Sequence, residues 1–206
     1  MLIHVYLSFF LSAACMKINF SCLLLLALLG LSHCKKKEAT PEDQLPPATQ
    51  TGQNTAGCRV DGIAWTAQAS GLFSPKPIYA YWLKSSATSE HALNLRFNKR
   101  TDDMQVHAQT SIEFFVPNLR AAGTFLLNQS ANPMLASTNP PYGAFEFGKR
   151  APDQVLLTGP SATGQLVITR FDSVARVVAG TFEFTAREAS GAATVQVSEG
   201  RFDCKF

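Results

Sequence analysis

Histidine, tryptophan and charge are scarce in this 206-residue chain, and closely paired cysteines do not occur. Of its 4 histidines only His91 and His107 lie beyond residue 56. There is no His-Glu-x-x-His and no Cys-x-x-Cys, so the common zinc spacings are excluded. Glu90-His91, His107 and Asp102-Asp103 each read as solvated strand or turn residues. Ser161, in Gly159-Pro160-Ser161-Ala162-Thr163-Gly164, lacks the spacing of a nucleophile elbow. Charged residues make up 16% of the chain, and from Gly57 onward 14 Lys and Arg balance 12 Asp and Glu with no basic block. That excludes the electrostatic footprint of a nucleic-acid binder. No pattern calls for a catalytic residue, a metal or a cofactor.

A long apolar run is also missing. Phe20 to Leu31 spans about a dozen residues, whereas a helix needs roughly 20 to cross a bilayer. Joining it to Leu2–Met16 would put Lys17 and Asn19 mid-span, which is costly. Translation from Met16 removes the difficulty. It gives a basic start, a short apolar core and a cysteine, which is the layout of a secretory signal peptide. Leu31-Ser32-His33-Cys34 resembles the lipobox of bacterial lipoproteins, with His33 where a small residue is usual. The resemblance implies cleavage before Cys34 and lipidation of its thiol, with residues 1–33 lost and an over-extended start. An uncleaved membrane helix and a cleaved, unlipidated protein are the alternatives.

After Cys34, residues 35–56 contain Lys35-Lys36-Lys37, Pro41, Pro46 and Pro47 and almost no large apolar side chain. Such a composition cannot offset chain entropy by burial, which predicts a disordered tether over 34–56. Residues 57–206 are long enough for one domain with its own core. Alternation with period two dominates there. In Ala92–Asn98 the large apolar residues fall on every second position, and in Gly180–Ala186 Phe182 and Phe184 face away from Thr181, Glu183 and Thr185. Asp61-Gly62 between apolar runs predicts a type I′ hairpin. Roughly ten strands are expected, forming an antiparallel β-sandwich, with a flattened barrel as the alternative. Val195 and Val197 are out of phase with Phe202, Cys204 and Phe206. A strand keeps both sets inward only if Glu199-Gly200 is a bulge or a turn.

Two cysteines remain, Cys58 and Cys204, in the first and last strands. A disulfide between them is expected in an oxidising compartment, with two separate buried thiols as the alternative. Among the aromatics, Tyr79 and Tyr81 share one strand face. Tyr142 sits in the Pro-rich loop Asn139–Gly143. These three are the candidate ligand platform.

The stretches Gly57–Trp65, Gly164–Asp172, Ala179–Phe184 and Glu199–Asp203 resemble a family of Bacteroidota lipoproteins with an all-β domain. Its shared residues are turn and core positions, so the resemblance implies a fold and an address and carries over no site. Some lipoproteins of that phylum bear an acid-rich export signal after the lipidated cysteine. Lys35-Lys36-Lys37-Glu38 has one early acid, which favours the periplasmic face of the outer membrane over the cell surface. The expectation is a membrane-anchored envelope lipoprotein with a non-catalytic module that binds a glycan or an envelope protein. An envelope hydrolase using scattered carboxylates and a carrier of a small apolar ligand are the alternatives.

Overall fold

The computed structural model describes residues 44–70, 76–84, 89–100, 109–133, 138–148 and 154–206. The expected signal peptide, Cys34, the first part of the tether, Asp102-Asp103 and His107 all lie outside them. Every regular element among the described residues is a β-strand.

The first hairpin joins β1 (Thr55–Val60) to β2 (Ile63–Thr66). Asp61 and Gly62 sit at φ 50° and 80°, as a type I′ turn requires. Next come β3 (Gln68–Ala69), β4 (Ile78–Lys84), β5 (His91–Arg100) and β6 (Gln109–Val116). Then follow β7 (Gly123–Leu126), β8 (Tyr142–Phe147) and β9 (Gln154–Leu157). The chain closes with β10 (Gly164–Asp172), β11 (Val177–Glu188) and β12 (Thr194–Lys205).

Hydrogen bonds link the strands in the order β2-β1-β12-β11-β9-β8-β6-β5-β3, with β4 also on β5 and β10 carrying β7 from β11. The two ends of that path are consecutive in the chain. β2 pairs with β1, and one residue later β3 pairs with β5, in parallel. The sheet therefore nearly closes on itself, and both sandwich and flattened barrel describe it.

Side chains from every second position fill the interior. Phe97, Phe114, Phe182, Phe184 and Phe202 form its centre, with Phe114 and Phe182 rings 4.9 Å apart and Phe97 and Phe202 rings 5.7 Å apart. Burying each contributes on the order of 2 kcal/mol. Trp65 is buried too, and its Nε1 donates to Thr110 Oγ1 at 2.7 Å.

The phase conflict in the last strand is resolved by a bulge. Gly57 faces Arg201 but Arg59 faces Ser198, and Phe182 faces Gly200 while Phe184 faces Val197. One extra residue in β12 accounts for both shifts, and Glu199 takes it up at φ 53°. Val195, Val197, Phe202 and Cys204 all end in the core.

Two expectations are corrected. The domain does not begin at residue 57: β1 starts at Thr55, and residues 49–54 are fastened to β12. Asp203, 1% exposed, accepts hydrogen bonds from Thr49 Oγ1 (2.6 Å) and from the backbone N–H of Thr51 (2.9 Å), Gly52 (2.6 Å) and Gln53 (3.1 Å). Further back, Pro46 packs on Gly57. A polar sequence can be ordered this way because one buried carboxylate satisfies a whole turn of donors.

Nor is there a Cys58–Cys204 disulfide. Both residues are buried free thiols. They point into the same core from adjacent strands, but Cys204 lies beyond the Thr55–Asp203 pair while Cys58 faces the bulge. Four residues along a strand and one strand across is about 14 Å, whereas a bridge needs Cα atoms within about 7 Å. Burial pushes both thiols far above their ordinary range, opposed at Cys58 by Lys99 and reinforced at Cys204 by Asp203.

Candidate functional site

β4, β5, β6 and β8 form one outer face, and cross-strand register puts the three candidate tyrosines on it. One row reads Tyr81–Asn94–Phe115–Tyr142. The row beside it reads Tyr79–Arg96–Glu113–Ala144. Residues i and i+2 of a strand share a face, so Tyr79 and Tyr81 stand side by side. Their rings stack with centroids 6.2 Å apart and planes at 27°. Tyr79 is held from below, its hydroxyl accepting the Lys76 N–H at 3.1 Å. Tyr81 is 48% exposed, and Leu83, 60% exposed, continues the stripe along β4.

Arg96 fixes the polar half of this face. Its guanidinium donates to Asn98 Oδ1 (3.2 Å), Ser111 Oγ (3.1 Å) and Glu146 Oε2 (2.7 Å), and pairs with Glu113 as well. Two carboxylates on one planar fork leave Arg96 little rotational freedom. The result is a rigid patch: two stacked rings, one amide (Asn94) and one ion cluster of net negative charge.

Tyr142 does not belong to the exposed platform. It opens β8 rather than lying in a loop, is 7% exposed, and stacks on Phe115 at 5.6 Å. Ala92 and Ala144 complete this second apolar cluster, with Ala131 and Leu157 packed against it. Burial, with the Glu146 charge, raises its hydroxyl above the ordinary value of 10.0. The Pro-rich composition that suggested a loop belongs to the segment just before it. There Asn139 and Asn132 exchange hydrogen bonds of 2.7 Å.

A second surface was not anticipated as a site. On the outer side of β10, β11 and β12, two shallow grooves of about 340 and 300 Å³ meet at Gln165 and Glu183, which line both. Alternation had already turned Thr181, Glu183 and Thr185 outward. Which residues stand beside them on β10 and β12 depends on register. Two carboxylates displaced from their ordinary values lie elsewhere, and both are held low. At Asp172 the cause is the Ala175 N–H, then Arg170. At Asp203 burial raises the carboxyl, but the Thr49, Thr51, Gln53 and Gly52 donors outweigh it. Neither has the raised value a general acid requires. No group of three or more metal-ligating side chains occurs among the described residues.

No protein-family model, curated protein or solved structure matches the chain.

Proposed function

We propose that this chain is a cell-envelope lipoprotein, held by lipid on Cys34 at the periplasmic face of the outer membrane, whose β domain is a non-catalytic glycan-binding module. The stacked Tyr79–Tyr81 pair carries the binding half of this reading. Neighbouring aromatic rings lying nearly parallel on a strand offer an apolar surface to the C–H face of a sugar ring. Asn94 and the Arg96–Glu113–Glu146 cluster stand beside them to meet hydroxyl groups. The address rests on the signal layout before Cys34 and the lipobox likeness.

The other two readings have less support. A carrier needs an apolar cavity, and the centre of this sheet is filled by phenylalanine rings. A hydrolase needs a free acid and base, and the carboxylates nearest the tyrosines are taken up as acceptors by Arg96.

The test uses the full chain, extracted in detergent and presented with immobilised envelope glycans. Truncating an aromatic anchor at the centre of a site costs about 2 kcal/mol or more, so Tyr81→Ala is expected to weaken retention about thirtyfold. Undiminished retention by Tyr81→Ala and Tyr79→Ala would remove this face from consideration. Cys34→Ala should move the protein from the membrane to the soluble fraction, and unchanged fractionation would remove the lipid anchor.

A further inference from the structure

The trough across β10, β11 and β12 is lined by backbone as well as by side chains. Its floor contains Gly164 and Gly200, and neither position can carry a side chain. A Cβ at Gly164 would stand 2.5 Å from Glu183 O, and one at Gly200 would stand 2.3 Å from the Phe182 ring. Both clashes lie on the core side of the sheet, against Phe182 and Phe184, so these glycines answer to the packing beneath the trough, and the bulge at Glu199 shifts β12 along one side. Ala48, on the strap that Asp203 fastens, lines one end, and Leu126 of β7, 57% exposed, lines the other.

The polar side chains around that floor are amides, hydroxyls, two carboxylates (Glu183 and Glu199) and the Arg201 guanidinium, and they are oriented in advance. Gln165 Nε2 donates to Glu183 Oε1 at 2.7 Å across the β10–β11 pair. Arg201 Nε donates to Glu199 O at 3.3 Å, and Glu199 is paired with Arg59 at 3.2 Å. Positive and negative groups therefore alternate and nearly cancel, so nothing here attracts a polyanion. All of these residues sit on or beside long strands whose ladder fixes their spacing, which limits the ordering cost of binding. The shape is that of an open trough with two lobes, each at the lower end of the range for ligand sites.

We infer that this trough is a ligand site distinct from the tyrosine face, and that it takes a neutral polyhydroxylated chain, an oligosaccharide laid across the three strands. Glu183 and the Gln165 amide oxygen accept from its hydroxyls, and Gln196, Ser198 and Arg201 donate to them. A ligand held this way lies along adjacent residue pairs rather than end-on in a cavity. The inference does not depend on the tyrosine face.

Isothermal titration of the full chain in detergent tests it. The probes are hexasaccharides of glucose, mannose, galactose and N-acetylglucosamine, with a hexamer of uronic acid for contrast. Glu183→Ala removes the central acceptor, and Thr185→Trp fills one lobe without touching that acceptor. Each variant is first checked for an unchanged thermal midpoint. The expected result is binding of at least one neutral hexamer, weakened about tenfold or more by each variant, since hydrogen bonds to a charged group are the strong ones. If Tyr81→Ala abolishes that binding while both trough variants leave it intact, the trough inference fails and the tyrosine face stands. If the trough variants act and Tyr81→Ala is silent, the trough stands and the tyrosine reading fails for these ligands. Binding to the uronate alone, or to none of the probes, overturns the trough inference.

Discussion

Asp203→Asn should separate the strap from the domain. Four donors converge on one carboxylate that is 1% exposed, three of them backbone N–H groups of residues 51–53. Asparagine keeps the shape but replaces one acceptor oxygen with an NH₂ that points at donors. Hydrogen bonds to a charged group contribute about 1.5–3 kcal/mol each, but they are not additive, and the buried charge itself is costly. A net loss of about 3 kcal/mol follows, which lowers the melting temperature of a domain this size by about 6–12 °C. The carboxyl is held below its ordinary value of 3.8. Its contribution is therefore fully present above that pH and is lost as pH falls through the depressed folded value. Wild type and Asp203→Asn should thus differ at pH 7 and converge in strong acid. Calorimetry gives the difference, and hydrogen exchange at residues 51–53 shows whether the strap has let go. A variant melting within 2 °C of wild type at pH 7, with the amides of 51–53 still protected, would refute the reasoning.

Other outcomes follow from the same packing. Gly200→Ala drives a methyl into the Phe182 ring and should destabilise by about 2–3 kcal/mol, measurable as a shifted denaturant midpoint with unchanged slope; a neutral result would mean that β12 can slide. The intact mass should not rise by 2 Da on reduction, and Cys58 and Cys204 should react with a thiol reagent only after unfolding. Fast labelling of the folded protein would contradict their burial. Trp65→Phe leaves the buried Thr110 hydroxyl without its indole donor and should cost about 1–2 kcal/mol, seen by chemical denaturation. Adding Thr110→Val to the Trp65→Phe variant should then cost less than Thr110→Val does in the wild type.

What could be read in advance was whatever depends on neighbours in sequence. Alternation found the faces of β5 and β11, the Asp61-Gly62 turn needed only its own two residues, and the phase break before Phe202 demanded an extra residue wherever the strand was placed. What was missed depends on partners far along the chain. β9 has only four residues, Gln154–Leu157, too few for a period to register. The strap looked like a tether because its order comes from Asp203, about 150 residues later. The cysteines show the boundary most clearly. Parity turned Cys204 inward, but the offset that keeps it from Cys58 is a property of the β1–β12 register. Tyr142 was misplaced by local composition, since its partner Phe115 belongs to another strand. For the tyrosine face, the sequence supplied the rings, and only strand pairing supplied Arg96 beside them.

The strap also sets how far the domain can travel. With the lipid anchor proposed on Cys34, a tether running to residue 56 would allow a fully stretched reach of about 80 Å. Because Pro46 is already packed against Gly57, only residues 35–45 remain to span the gap, about 40 Å at most. A hemisphere of half the radius has roughly an eighth of the volume, so any ligand within that shell meets the domain at roughly eightfold higher effective concentration. Asp203, which touches no ligand in either proposed site, thereby trades range for local occupancy. Releasing it would extend the leash at the expense of avidity near the membrane.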